Sequence, residues 1–236
     1  NFFRAATNND VENKYGYRYG KWLTASLYAK CEFVGVSKGD SSCKVEYAYD
    51  LPNLQDEKVH LVYEVYGDGK IIVDMSYQPV VSEIEMPVFG LIFQLYKDME
   101  EVNYYGFGPE ENYIDRNKGA LLGKYTYQVT DNLTPYLYPQ ECGNRTHVRE
   151  LSVAGENTKL KIKGEDFEFS ALHYTPYELE NARHKDELPN VYQTVLCINE
   201  KQMGIAGDDT WGAKTHDEFL LDKEKHHLRF SFKGKL

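Results

Sequence analysis

The sequence lacks the charge pattern of proteins that bind nucleic acid or anionic lipid. Its 27 basic residues are outnumbered by 37 acidic ones, and the formal net charge is -10. The basic residues are scattered along the chain, so they do not form the positive patch that binding to phosphate groups requires. We therefore expect neither nucleic acid nor a membrane surface as a partner.

Long apolar runs are also absent from the sequence. No run approaches the roughly 20 residues of a membrane-spanning helix, and the first residues do not show the charged and apolar regions of a signal peptide. We expect a soluble chain, and the cytoplasm is the favoured compartment. The sequence begins at Asn1 without a methionine, which leads us to expect a piece cut from a longer polypeptide.

Cysteine and histidine are too few, and too irregularly spaced, to indicate a metal site. The four cysteines fit neither a zinc pattern nor the dense disulfide framework of small secreted domains. We predict that they are buried free thiols. The seven histidines show no HxxxH or HExxH spacing, so we expect no metal bound by this chain. The cysteines are Cys31, Cys43, Cys142 and Cys197.

The common catalytic patterns are missing too. There is no GxSxG nucleophile turn, no phosphate-binding glycine loop and no dinucleotide fingerprint. Carboxylates occur as the adjacent pairs Glu110-Glu111 and Asp208-Asp209, whereas a retaining glycosidase needs two carboxyl groups about 5 to 5.5 Å apart across one bond. We interpret these pairs as turn, cap or arginine-pairing residues, and we expect no catalytic residue in this chain.

What the sequence does contain is a repeated alternation of apolar and polar residues. Hydrophobic residues make up 42% and aromatic residues 14% of the chain, which is enough for a large core. Gly67-Asp68-Gly69 joins two alternating runs and predicts a tight hairpin. This pattern predicts an all-β sandwich forming one domain over residues 1–236. The predicted strands are residues 59–66, 70–77, 88–96, 160–162, 167–172, 194–199 and 228–232.

Only one helix is predicted. Thr175 can cap its first turn, Pro176 suits the first helical position, and Glu178 completes a capping box, so we expect a helix over residues 176–184. Residues 11–21 hold two glycines and no alternating pattern. We expect them to form a mobile loop that could close over a substrate.

Four segments are denser in glycine, proline and polar residues than ordinary loops. They read FFRAATNND at residues 2–10, YGFGPEENYIDR at residues 105–116, PYLYPQECGNRTHVR at residues 135–149 and MGIAGDDTWG at residues 203–212. In this order they resemble the motifs of the C-terminal domain, or separate small chain, of the β-galactosidases of glycoside hydrolase family 2. The resemblance spans nearly the entire chain. It departs from the family pattern at Ala6, Asn8, Cys142 and Ala206.

The resemblance implies a specific fold and role for the chain. The fold would be a super-sandwich of two large antiparallel sheets, similar to galactose mutarotase. The two catalytic glutamates, together with Mg and Na ions, would lie in a separate (β/α)₈ barrel, and the full enzyme would be an oligomer that cleaves terminal β-galactosides. The chain contains no such barrel, and the sequence leaves open whether the barrel is fused to it or is a partner chain.

The same resemblance assigns the sugar contact in this chain to Trp211, with Asp208 and Asp209 beside it. An indole in a polar, glycine-rich loop is also well suited to stacking on a sugar. For the polar residues of the other motifs we predict a network that fixes loops, with a lining for the sandwich's own groove as the alternative. These residues are Glu111, Asn112, Asp115, Arg116, Glu141, Asn144 and Arg145.

Two other classes of function stay open at this level. The chain could be a free-standing carbohydrate-binding module that presents exposed tyrosine and tryptophan side chains. It could instead be a mutarotase-like epimerase, which would need a histidine such as His147 or His173 facing a glutamate across a groove. The four ordered motifs favour the β-galactosidase over both alternatives.

Overall fold

The computed structural model describes most of the chain as antiparallel β-structure. It describes residues 1–52, 54, 58–79, 85–209, 211–221 and 225–235. Within these ranges eleven strands form, and all of their pairings are antiparallel. The predicted all-β class is therefore confirmed. The strands are β1 Lys30–Lys38, β2 Ser42–Asp50, β3 Lys58–Tyr66, β4 Lys70–Tyr77, β5 Val88–Tyr96, β6 Glu101–Gly108, β7 Leu121–Gln128, β8 Arg145–Ala154, β9 Lys159–Leu172, β10 Gln193–Gln202 and β11 His226–Lys235.

The long strand β9 connects the two layers of the sandwich. The main path of paired strands runs β1-β2-β3-β4-β11-β9-β8-β6-β7, and β10 and β5 branch from it. The first half of β9 pairs with β11, and its second half pairs with β10. Rings on β5 contact rings on β4 and β11, as in the Tyr77–Phe89 stack at 6.2 Å. The β5–β10 branch therefore lies face to face against β4 and β11.

Alternation along the strands decides which side chains enter this core. Tyr77, Met75 and Val73 of β4 are buried and alternate with less buried residues, as expected for a sheet with one covered face. The hairpin predicted at Gly67-Asp68-Gly69 joins β3 to β4, and Gly69 adopts a φ of +84° there. The antiparallel pairing of β3 with β4 confirms the predicted hairpin. Glycine suits this position because it alone adopts such a backbone angle at little cost.

The prediction of a single helix is wrong, since the described residues form three α-helices. They are α1 Asn8–Glu12, α2 Tyr15–Tyr28 and α3 Pro176–Asn181. Short 3₁₀ turns also occur at Val129–Asn132, Lys185–Glu187 and Asp217–Phe219.

The expected loop at residues 11–21 is likewise wrong, because most of it is helical. Tyr15, Tyr19 and Trp22 are buried on one side of α2. Their spacing of four and three residues places them on a single helical face. Gly16 and Gly20 have no atoms near the place of a side chain, so they act here as ordinary helical residues and not as hinges. The buried face of α2 belongs to the core, so the stretch does not form the expected mobile loop.

Helix α3 follows its prediction closely. The Thr175 hydroxyl accepts a hydrogen bond from Glu178 N at 3.1 Å, and the Glu178 carboxylate accepts one from Thr175 N at 2.7 Å. This is the expected capping box, with Pro176 in the first turn. The helix ends at Asn181, three residues earlier than predicted.

The cysteines are free thiols, as predicted, but only two of them are buried. Cys142 and Cys197 are buried, whereas Cys43 is half-buried and Cys31 is exposed. Cys31 lies on the edge strand β1, and Cys43 lies on the neighbouring strand β2. Among the described residues, no helix is both long and apolar enough to span a membrane.

Candidate functional site

The four sequence motifs, although far apart in the chain, meet at one end of the sandwich around Arg4. The buried Arg4 guanidinium forms an ion pair with Asp10, with Nη2 to Oδ2 at 3.1 Å. It also donates hydrogen bonds to the carbonyl oxygens of Met203 and Gly204, the latter at 2.9 Å. The first motif therefore holds the start of the last one. Burial makes this pair structurally demanding, because a lone charge there would have no water around it.

Asp115, from the second motif, holds the next part of the same loop. Its Oδ2 accepts hydrogen bonds from the backbone N–H groups of Ile205 at 2.8 Å and Ala206 at 2.9 Å. A side chain on Gly204 would lie 2.7 Å from the Asp115 carboxyl group. Thr7 adds a hydrogen bond to the carbonyl of Ile205 at 3.3 Å. The first and second motifs thus fix the backbone of residues 203–206 from two sides.

Beyond this anchored backbone, the loop presents Trp211 to solvent. Its side chain is 86% exposed. Asp209 Oδ1 accepts hydrogen bonds from Trp211 N at 2.8 Å and from Ala213 N at 3.2 Å, which shapes the turn that carries the indole. Gly212 has a φ of +103°, and a side chain on it would approach the Glu12 carbonyl oxygen to 3.0 Å. The loop is therefore shaped by local hydrogen bonds and by its contact with the end of α1.

Asp208 and Asp209 have different surroundings, although both were predicted beside the sugar. Asp209 is engaged with the backbone of its own loop, while Asp208 is exposed and pairs with His216, Oδ1 to Nε2 at 2.8 Å. The hydrogen bond with Asp208, together with the negative charge of that carboxylate, raises the pKa of His216. Both residues are exposed, so the two carboxylates differ in their partners and not in their burial. The contact of either residue with a sugar stays a prediction.

Glu111 connects the second motif to the third. Its carboxylate accepts hydrogen bonds from Gly143 N at 2.6 Å, Thr134 Oγ1 at 3.0 Å and Tyr136 Oη at 2.9 Å, and it pairs with Arg116. Burial opposes its negative charge, but these donors outweigh burial and keep the pKa of Glu111 below its ordinary value. Three of these four interactions hold the chain around residues 134–143, and the fourth ties Glu111 to Arg116 of its own motif.

Asn112 and Asn144 join the same two motifs deeper in the fold. Asn112 N donates to the Asn144 carbonyl at 2.9 Å, and Asn144 Nδ2 donates to the Asn112 carbonyl at 3.0 Å. The Arg145 guanidinium donates to Tyr104 Oη at 3.1 Å and lies 5.2 Å from the centre of the Tyr127 ring. All three motif residues are buried. Their contacts are those of a network that fixes loops.

Glu141 is the most strongly perturbed carboxylate next to Arg4. It accepts hydrogen bonds from Gln202 Nε2 at 3.2 Å and Tyr113 Oη at 3.4 Å. Burial raises the pKa of Glu141 to about 7, although the nearby positive charge of Arg4 opposes the shift. Perturbed carboxylates often mark functional sites, but structural networks perturb them as well. Here each partner of Glu141 belongs to the polar network.

Arg4, Asp10 and Gln202 were not among the predicted site residues, although they organise the site. The sequence did carry a signal for the first two. Arg4 stands in the apolar run of Phe2 and Phe3, where a charge needs a buried partner. Asp10 stands three residues after Thr7, and the structure forms the capping box that this spacing allows. Gln202, at the end of β10, had no comparable signal.

Within the described residues the arrangement is suited to binding and offers little for catalysis. His173 is buried and fully engaged, with Nε2 2.8 Å from Glu100 Oε1 and Nδ1 2.9 Å from the Gln193 carbonyl oxygen. His147 pairs with the exposed Asp166. His173 is in direct contact with its glutamate and His147 pairs with an aspartate, so neither is separated from a glutamate by the groove that an epimerase would require. No group of three or more candidate metal ligands occurs in the part of the chain that the structure describes.

Comparisons with known proteins match the whole chain to one family. The family described as beta galactosidase small chain matches residues 1–233. The β-galactosidase of Streptococcus thermophilus is 39% identical over 233 residues, which cover 97% of this chain and 23% of that protein. The β-galactosidase of Halalkalibacterium halodurans is also 39% identical, over 98% of this chain and 23% of its own length. The chain thus spans less than a quarter of the length of these curated relatives.

The solved structures include a distant neighbour, a GalM/aldose epimerase homologue from C. elegans. It aligns with a TM-score of 0.41 and 11% sequence identity over 87% of this chain and 68% of the neighbour. The fold class given above depends on the strand pairing of the chain itself.

Proposed function

Because the chain belongs to the β-galactosidase small-chain family, we propose that it completes the sugar site of a β-galactosidase whose separate (β/α)₈ barrel carries the chemistry. The enzyme would hydrolyse terminal β-galactosides, and this chain would contribute a wall of the site without a catalytic residue. The observation that carries the proposal is the exposed side chain of Trp211. The loop that carries it is anchored by Arg4 at Gly204 and by Asp115 at Ile205.

The geometry favours a contact surface at this loop. An aromatic side chain that is 86% exposed adds little to the apolar burial that stabilises the fold, and an exposed indole can stack on the apolar face of a sugar ring. The backbone N–H groups of Trp211 and Ala213 are already bonded to Asp209, so less conformational freedom is lost on binding than from an unanchored loop. Asp208, which points to solvent beside it, could accept hydrogen bonds from sugar hydroxyl groups.

The remaining parts of the enzyme follow from the same proposal. The barrel would supply the acid and the nucleophile, and we assign to it the Mg and Na ions that the family resemblance implies. The barrel is either fused to this chain or a partner of it, and the complete enzyme would be an oligomer.

The experiment that tests the proposal is Trp211→Ala in the complete enzyme. The variant removes an apolar contact worth roughly 1.5 to 3 kcal/mol when fully covered, which is about one to two powers of ten in affinity. Because the contact forms before the bond breaks, the loss should raise KM with little change in kcat. The melting temperature should stay the same, since the side chain is exposed.

Tyr96→Ala provides a matched control. Tyr96 is an aromatic residue that is 72% exposed. It lies at one end of β5, and the motif that carries Trp211 begins near the other end, where Met203 N bonds to the Pro87 carbonyl oxygen. It should leave KM unchanged. An unchanged KM for Trp211→Ala, with a lower melting temperature, would assign the indole to folding and contradict the proposed sugar contact.

A further inference from the structure

The upper layer of the sandwich stops at β5, and the sheet beneath it continues farther. Among the described strands β5 pairs only with β10. Its core-facing Phe93 lies over Phe230 and Phe232 of β11, with ring centres 6.2 and 5.9 Å apart. The opposite edge of β5 therefore points toward β3, β2 and β1. No described strand lies beside β5 on that edge.

The sheet surface beyond this edge is apolar and exposed. On its core side, Phe33 of β1 is 59% exposed, Val36 of β1 is 53% exposed and Val65 of β3 is 37% exposed. The ring of Phe33 contacts that of Tyr47 at 5.9 Å, and Tyr47 contacts Tyr63 at 6.3 Å. We call this surface, formed by Phe33, Val36, Val45, Tyr47, Tyr63 and Val65, the open face.

The open face is a continuation of the core and not part of the outer surface. Tyr47 is directly opposite Leu61 on β3, and Leu61 is opposite Met75 on β4. Paired residues share one face of a sheet, and both Leu61 and Met75 are buried. An apolar surface of this kind, continuous with a core, indicates a missing covering element.

Asn1 already pairs with the free edge of β5 through its backbone. Asn1 N donates to the Gly90 carbonyl at 2.7 Å, and Gly90 N donates to the Asn1 carbonyl at 3.1 Å. This reciprocal exchange is the hydrogen-bonded pair of an antiparallel ladder. Because backbone groups alternate in direction along a strand, Ile92 and Gln94 also direct their N–H and C=O groups to this edge.

We propose that the free edge of β5 and the open face together form the docking site for one extended strand of the β-galactosidase polypeptide outside these 236 residues. The strand would run antiparallel to β5 in line with Asn1, bond to Ile92 and Gln94, and place alternate apolar side chains on Tyr47 and Tyr63. This strand-addition geometry gives affinity through the backbone and selectivity through the alternate side chains.

The length of the relatives supports this occupant. Only 23% of each relative is covered by this chain, so each has a long polypeptide outside the matched region that could supply the strand. Pairing of β1 with a second copy is less favourable, because the register shift between Phe33 and Gly35 breaks the regular edge of β1. The inference rests on the proposed function in one respect, which is that the docking strand belongs to the same β-galactosidase.

Hydrogen exchange tests the proposal without using activity. In the isolated chain, the amides of Ile92 and Gln94 should exchange quickly. In the complete β-galactosidase assembly they should exchange at least about 100-fold more slowly, because they become bonded inside a sandwich. Hydrolysis of galactosides is not measured, so a failure here is distinct from a failure of the proposed function.

Cysteine alkylation gives an independent reading of the open face. Cys31 and Cys43 border it, opposite Tyr49 and Val65. They should react with a maleimide in the isolated chain and become protected in the assembly. Cys142 and Cys197 are internal controls, since burial raises the pKa of each thiol to about 12 and both should stay unreactive in the two samples.

Phe33→Asp should remove the protection of Ile92 and Gln94 in the assembly while the isolated chain keeps its melting temperature. Ser37→Asp, on the same strand, is the matched control and should leave protection intact. Two results would overturn the proposal. One is fast exchange at Ile92 and Gln94 in the complete assembly. The other is slow exchange in the isolated chain together with a dimeric mass in sedimentation, which would make the occupant a second copy.

Discussion

The carboxylate of Asp115 offers the sharpest test of how the Trp211 loop is held. In Asp115→Ala the N–H groups of Ile205 and Ala206 both lose their acceptor. Ala206 is exposed and can bond to water, but Ile205 is buried. Leaving one buried donor unsatisfied costs about 1 to 3 kcal/mol. For a chain of this size that corresponds to a melting temperature lower by roughly 2 to 10 °C.

The assay combines thermal unfolding with limited trypsin digestion. Lys214 is an exposed cleavage site in the same loop, and it should be cut faster in Asp115→Ala than in the unchanged chain. Asp115→Asn is the matched variant. Its amide oxygen can replace Oδ2 as the acceptor, and its amide nitrogen would take the place of Oδ1, which has no hydrogen-bond partner. It should therefore keep most of the stability.

The opposite result would be informative. If Asp115→Ala melts within a degree of the unchanged chain and Lys214 is cut no faster, the carboxylate does not hold the loop, and Arg4 and Thr7 would have to anchor it without Asp115. If Asp115→Asn is as damaged as Asp115→Ala, the negative charge matters and not the acceptor geometry.

Two further predictions concern chemistry and pH. The isolated chain should fold but should not hydrolyse a chromogenic β-galactoside, because the proposed function places the acid and the nucleophile in the barrel. Turnover that is abolished by substituting one of its own glutamates would contradict this. Burial raises the pKa of the Glu168 carboxyl group from its ordinary value of 4.5 to about 8 in the folded chain. The stability that the protonated group contributes is therefore fully present below about pH 4.5, and it is lost as the pH rises through about 8. Glu168→Gln should therefore flatten the stability profile between pH 5 and 8, and an unchanged slope in chemical denaturation would show that Glu168 is not protonated in the fold.

The parts of the fold that could be predicted are those governed by local chemistry. The β3–β4 hairpin follows from two glycines between alternating runs, and the start of α3 follows from Thr175, Pro176 and Glu178. The helix α2 was missed because Gly16 and Gly20 suggested hinges. The buried spacing of Tyr15, Tyr19 and Trp22 was the competing signal, and tertiary burial decided the outcome.

Other errors arose where a strand lacks the usual alternation. Strand β1 is exposed on both sides over most of its length, so no pattern of one covered face could identify it. Strand β6 ends in Phe107 and Gly108, inside the motif 105–116, whose glycines and proline favour a turn more than a strand.

The site was only partly predictable. The motifs predicted that Glu111, Asn112 and Asn144 hold loops together, and their contacts are of that kind. The sequence alone could not show that Arg4 joins the two ends of the chain, because that contact depends on the complete topology. The assignment of Trp211 to a sugar stays a prediction that the exposed position of its side chain supports.

The contact between Arg4 and Gly204 also has a consequence for the timing of folding. These residues are separated by 200 positions in sequence, and contacts of such high separation form late because a long loop must close first. During synthesis the N-terminal motif has to wait until β10 and the residues after it have emerged. A chain that has not finished folding therefore cannot present Trp211 in its final position, and assembly with a partner through this loop would select complete chains.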